Sequence, residues 1–138
     1  MSQKRPIRVV VVDDHPVARM GVVAMLNTQA DLSVVATAED GTSAIDVIKR
    51  EQPDVVILDL RMPGLDGVSV MRSLAQQTPT PRVLVFSHYD GDDDVWSALK
   101  AGARGYLTKS VHGTTLAEAV RAVARGERYL PAALTARM

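Results

Sequence analysis

The chain has 138 residues, no cysteine, and 16 basic residues balanced by 16 acidic ones. This is the size of one ordinary domain. The lack of cysteine excludes disulfides and thiolate metal sites, and the charge balance lacks the basic excess of a nucleic-acid surface. No apolar run approaches the roughly 18 residues of a membrane span, and residues 1–6 carry no signal-peptide core, so a soluble cytoplasmic domain without membrane contact is expected.

The first strand-like run is Ile7 to Val12, which leads directly into Asp13-Asp14. A helical stretch follows, with Pro16 in its first turn after Asp14 or His15, and with Val17, Met20 and Ala24 at helical spacing. The second run, Leu32 to Ala38, precedes a helix carrying Ala44, Ile45 and Ile48, for which Thr42 is a candidate cap. The third, Asp54 to Leu58, is unbroken in Val, Ile and Leu after its acid and ends in Asp59 and a Met62-Pro63-Gly64 turn. Asp66 then caps a helix with Val68, Met71, Leu74 and Ala75. The fourth run, Arg82 to Phe86, ends in Ser87, and a helix from about Asp92 carries Val95, Ala98 and Leu99 as far as Gly102. The fifth, Gly105 to Leu107, ends in Thr108-Lys109 and is followed by a helix with Leu116, Ala119, Val120 and Val123 that stops at Gly126.

Five strands alternating with five helices, the first and third strands apolar on every residue, predict a doubly wound α/β fold around a parallel sheet covered on both faces. In such a sheet ligands bind outside the carboxyl ends of the strands. Asp13, Asp14, Asp59, Ser87 and Lys109 all stand at those ends. Singly, each has a plainer reading: Asp13-Asp14 as a helix cap, Asp59 as a turn former, Ser87 and Lys109 as surface residues. Together they would place three carboxylates, a hydroxyl and an ammonium on one rim. Three close carboxylates repel, and a hard cation with oxygen ligands, most simply Mg²⁺, fits such a site.

The stretches "VVVVDDHP", "DVVILDLRMPGLDG", "VLVFS" and "GYLTK" occur in an order and at intervals that resemble the receiver domain of two-component response regulators, from Ile7 to about Gly126. The resemblance implies a flavodoxin-like sheet of strand order 2-1-3-4-5 and a receiver over residues 1–127. Residues 128–138 then read as the start of a linker or a short extra helix. It implies that Asp59 accepts a phosphoryl group from a sensor histidine kinase. Asp13, Asp14, Asp59 and the backbone carbonyl of Arg61 would hold Mg²⁺, Ser87 and Lys109 would bind the phosphoryl oxygens, and Tyr106 would be the switch aromatic. The domain would not be an enzyme beyond this phosphoacceptor chemistry. "AGARGYLTKS" and "GERYLP" most resemble the NarL/FixJ (LuxR-type) subgroup, whose members usually carry a C-terminal helix-turn-helix domain; no such module is present in these 138 residues. DNA would be reached only through that domain, and a phosphorylation-linked homodimer is a further expectation. The competing reading is a degenerate receiver acting as a phosphorylation-independent interaction module.

Ser110 stands where many receivers have proline, which leaves the geometry of the Lys109-Ser110 peptide open, because a cis bond before a non-proline costs about 3 kcal/mol. "DGDDD", Asp90 to Asp94, begins like a calcium loop, but Val95 and Ala101 occupy the positions that need glycine and glutamate. Its acids are better placed as favourable charge at a helix N-terminus. His15, His88 and His112 show no ligand spacing and read as solvated or capping residues, although His15 and His88 flank the rim. The Arg61 side chain is expected near the phosphoryl group, and Trp96 as half-buried packing or a partner contact. A flavin site would need a glycine-rich phosphate loop after the first strand, and an aspartyl-nucleophile hydrolase two acids separated by one residue; neither is present.

Overall fold

The structure, a computed structural model, describes residues 5–89 and 91–136. Five strands, β1 (Ile7–Val12), β2 (Leu32–Ala38), β3 (Val55–Leu58), β4 (Arg82–Ser87) and β5 (Gly105–Thr108), form one parallel sheet in the order β2-β1-β3-β4-β5. The helices are α1 (Pro16–Asn27), α2 (Gly41–Glu51), α3 (Gly67–Leu74), α4 (Asp92–Lys100), α5 (Gly113–Ala124) and a single turn, α6 (Ala132–Thr135). The sixth helix lies in the stretch for which linker and short helix were both open.

The continuous apolar strands are explained by burial on two sides. Val10, Val12, Val56, Leu58, Val83, Val85 and Tyr106 belong to a core completed by α2, α3 and α4. Their neighbours Val9, Val11, Val55, Ile57, Leu84, Phe86 and Leu107 belong to a second core completed by α1 and α5. Successive side chains of a strand point to opposite faces, so a sheet sandwiched between helices needs apolar residues at every position.

Helix ends follow local chemistry. Asp66 caps α3 as expected, its carboxylate accepting from the Ser69 N–H at 2.9 Å. The cap of α2 is Asp40 rather than Thr42: the Asp40 side chain accepts from the Ser43 N–H at 2.8 Å, and Thr42 lies inside the helix. A hydroxyl is the weaker capping acceptor, and Asp40 occupies the extended residue just before the first turn. Gly102 and Gly126 follow α4 and α5 with φ of 109° and 87°, conformations that stop a helix at no side-chain cost.

The helix read from Val17, Met20 and Ala24 is present as α1, but those residues are not its buried face. Val17 and Met20 are 85% and 68% exposed, while Val22 and Leu26 are buried. The helix carries apolar residues around most of its circumference, and the face opposite Val17 and Met20 seats against Val9 and Val11. Trp96 on α4 is likewise exposed, at 56%. Asp90 of the "DGDDD" run lies outside the described residues; Asp92, Asp93 and Asp94 occupy the first turn of α4, where negative charge favours the helix dipole. Among the described residues the cis peptide is Thr78-Pro79, so Lys109-Ser110 is trans.

Candidate functional site at the carboxyl rim

Asp13, Asp59 and Lys109 are fixed because the sheet's hydrogen bonding runs one residue past the strand. The Asp13 N–H donates to Ala38 O at 3.1 Å, the Asp59 N–H to Val12 O at 3.1 Å, and the Lys109 N–H to Ser87 O at 2.9 Å. A side chain anchored on a buried ladder is held far better than one on a loop. Among the described residues Asp13, Asp59 and Ser87 are the buried polar ones, at 4%, 3% and 0% exposure.

The loop after Asp59 is held from below by α3. The Gly67 N–H donates to Leu60 O at 2.9 Å. A Cβ on Gly67 would lie 2.7 Å from Asp59 O and 2.8 Å from Leu60 Cα, both backbone atoms. Glycine is therefore the residue that lets the start of α3 press against the main chain of the strand-end acid.

Lys109 bridges the two buried acids, its Nζ standing 2.6 Å from Asp13 Oδ2 and 3.0 Å from Asp59 Oδ2. Burial is the largest influence on the ionisation of both Asp13 and Lys109, and it disfavours charge on each. The hydrogen bonds override it. With Lys109 and His15 as donors, Asp13 is held below its ordinary 3.8. With Asp13 and Asp59 as acceptors, Lys109 is held above its ordinary 10.5. The pair is charged throughout the neutral range.

His15 joins the cluster, which single-residue reading of the sequence did not assign to it. Its backbone N–H and its ring Nδ1 lie 2.9 and 3.0 Å from Asp13 Oδ1, and Nδ1 is also 3.1 Å from Asp14 Oδ1 and 3.8 Å from Asp59 Oδ2. The approach to Asp14 lacks hydrogen-bonding geometry, so Asp14 Oδ1 is buried with no partner. The sole signal in the sequence is that His15 follows Asp13-Asp14 directly. One donor atom each from Asp13, Asp14, His15 and Asp59 fall within 4.8 Å of one another.

Three carboxylates and one ammonium leave the cluster two negative charges in excess. A divalent cation cancels that excess and supplies the partner that Asp14 Oδ1 lacks, so the donor set fits a hard cation of the magnesium type.

The other expected residues stand close by but are engaged elsewhere. The Arg61 N–H lies 3.3 Å from Asp59 Oδ1, so its main chain borders the carboxylate. Its side chain turns away: Nη2 sits 3.0 Å from each Asp94 carboxylate oxygen, and the guanidinium lies 4.3 Å from the Tyr89 ring centroid. The partner that draws it there is the acid in the first turn of α4. Ser87 Oγ accepts from the Tyr89 N–H at 3.1 Å. Tyr106 is fully buried, and its hydroxyl donates to Tyr89 O. Tyr106 and Ser87 thus both bond to the backbone of Tyr89.

The sequence model of the "Response regulator receiver domain" family matches residues 9–121. The chain is 40% identical over 124 residues to the transcriptional regulatory protein DegU of Brevibacillus brevis, covering 90% of this chain and 52% of that protein. It is 37% identical over 135 residues to the nitrate/nitrite response regulator protein NarL of Escherichia coli K12, covering 98% of this chain and 62% of that protein. The chain therefore spans between about half and three fifths of these curated relatives. Among solved structures, the NarL signal receiver domain of Mycobacterium tuberculosis superimposes with a TM-score of 0.87 at 41% identity, covering 90% of this chain and all of that one. Among the described residues no helix is long and apolar enough to cross a membrane.

Proposed function

The chain belongs to the response regulator receiver domain family, in its NarL and LuxR-type branch, and from that premise we propose that Asp59 accepts a phosphoryl group from the phosphohistidine of a sensor histidine kinase. A carboxylate oxygen of Asp59 forms the new O–P bond as the N–P bond breaks, and the imidazole leaves with the electron pair and takes up a proton. The observation that carries this reading is the placement of Asp59: a nearly buried carboxylate at the end of a rigid strand, 3.0 Å from the Lys109 ammonium and beside the unpartnered oxygen of Asp14.

A carboxylate and a phosphoryl group repel each other, so the catalysis is positioning and charge neutralisation. Asp13, Asp14, Asp59 and the backbone carbonyl of Arg61 would hold Mg²⁺, which when bound neutralises charge on the carboxylates and the phosphoryl oxygens. Lys109, already at the Asp59 oxygen, follows the transferred charge and donates to a phosphoryl oxygen. Ser87 turns its hydroxyl proton to another. Ser87 Oγ and the Tyr106 hydroxyl both bond to the Tyr89 backbone, so a movement of Ser87 is passed to Tyr106 through one residue. Arg61 bound to Asp94 ties the acceptor loop to α4, which makes α4, together with Tyr89, the two-state element that the new charge biases.

The chain accepts one phosphoryl group per molecule and is not an enzyme in the turnover sense. The relatives named above are regulators, and their additional length is where we place a DNA-binding segment through which a cytoplasmic phosphoprotein of this type controls transcription, with phosphorylation favouring a homodimer. Incubation with Mg²⁺ and a small acyl phosphate donor is expected to give stoichiometric, acid-stable and base-labile label that is lost in Asp59→Asn. No label on the native chain would sink the phosphoacceptor reading and leave the interaction module in its place.

A further inference from the structure

Lys109 supplies the ammonium of the rim, yet it stands outside the strand. β5 ends at Thr108, and Lys109 and Ser110 form the middle of a turn that leads to Val111, which packs against the second core. The bonds that hold this turn differ in kind. The Lys109 N–H donates to Ser87 O at 2.9 Å and fixes only the start of the residue. The Val111 N–H donates to Thr108 O at 3.3 Å, which is long for a main-chain bond and closes the turn loosely. A further bond joins side chains: Thr108 Oγ1 and Ser110 Oγ lie 2.8 Å apart, an ordinary hydroxyl separation. A proline at 110 would restrict the turn through its ring, and serine lacks that restraint. Its hydroxyl instead reaches across Lys109 to a residue of the sheet, for Thr108 stands beside Ser87 in the strand register. Lys109 is thus bridged by two hydroxyls while its side chain, 6% exposed, runs inward to Asp13 and Asp59.

We propose that Thr108 and Ser110 brace Lys109 across the turn, and that this brace sets where the ammonium meets the phosphoryl oxygens during transfer to Asp59. The inference rests on the reading of Asp59 as the phosphoacceptor. Among the described residues the hydroxyls bond to each other and not to Asp13, Asp14 or Asp59, so they are positioning residues that act through Lys109. In the resting chain the ammonium has two carboxylate partners, and these alone keep it in the pocket. The brace matters when charge moves. As the phosphoryl group arrives, its oxygens replace Asp59 Oδ2 as partner, and the backbone that carries the lysine decides how far the ammonium follows. A hydroxyl pair at the surface contributes little to folding, so its loss alters the turn more than the stability of the domain.

The test follows the initial rate at which the full chain takes up label from acetyl phosphate with Mg²⁺. Thr108→Val, which keeps the shape of the side chain, and Ser110→Ala are each expected to slow labelling about three- to tenfold with an unchanged urea midpoint. Ser110→Thr keeps the hydroxyl and is expected to label at the native rate. Because the two hydroxyls share one bond, the double variant is expected to be no slower than either single one. In a Lys109→Ala chain, itself slowed, Ser110→Ala is expected to add nothing. Native rates in both single variants, additive losses in the double variant, or a loss of the same size with Lys109 already removed would overturn the proposal and leave Asp59 as the acceptor. A native chain that takes no label overturns the acceptor reading, and the brace falls with it.

Discussion

Asp14 has a buried oxygen without a partner next to two other carboxylates, so it works against folding whenever no cation is present. Asp14→Asn removes one negative charge and adds an N–H donor. We expect the variant to be more stable than the native chain by about 1 kcal/mol in chelator-treated buffer, measured by urea unfolding, and not to gain the stabilisation that added Mg²⁺ is expected to give the native protein. A variant less stable than native under those conditions would contradict the charge-repulsion account. Singly, Asp13, Asp14, Asp59 and Lys109 had plainer readings in the sequence, and it was their coincidence at the same ends of successive strands that drew attention to the rim. His15 was harder to see, since one histidine has no spacing to read and its role depends on where α1 begins. The direction of the Arg61 side chain was not legible, because it is decided by Asp94, thirty-three residues away in the chain.

At the level of elements, α3 is set against the loop after Asp59 with no room between them. Gly67→Ala forces a methyl group into the Asp59 and Leu60 backbone, whose two nearest atoms are main-chain atoms and cannot yield as a flexible side chain would. The expected cost is about 1–3 kcal/mol in thermal or urea unfolding, with slower labelling at the proposed acceptor by a small phosphodonor because the Asp59 main chain, and with it the carboxylate, is displaced. Normal stability with normal labelling would show that the loop yields freely. Strand positions were read closely from the sequence because two-sided burial demands unbroken Val, Ile and Leu. The phase of α1 was not: with Val17, Met20, Val22, Val23, Met25 and Leu26 distributed around the helix, period alone cannot say which side meets the sheet. The inward position of Tyr106 is also a tertiary matter, since an aromatic in β5 fits either side of the Ser87 loop until Tyr89 supplies its hydrogen-bond acceptor.

For the molecule as a whole, the residues after α5 are part of the packed structure. Leu134 on α6 is 4% exposed and belongs to the core formed with α2, α3 and α4. Leu134→Ala is expected to lower stability by about 2 kcal/mol, at the low end for a buried leucine because one helical turn can detach and limit the loss. An unchanged urea midpoint would mean that α6 contributes nothing to the fold. Before α6 the chain runs beside the last strand: Tyr129 forms a parallel bridge with Gly105, the Tyr106 N–H donates to Tyr129 O at 3.1 Å, and the Tyr129 N–H donates to Arg104 O at 3.0 Å. An unpaired strand is a template on which a neighbouring polypeptide can extend a sheet. The short segment at Tyr129 occupies that template on β5, so strand-to-strand growth between molecules is directed away from the side of the sheet that carries Tyr106, and β2 is left as the edge where it can begin.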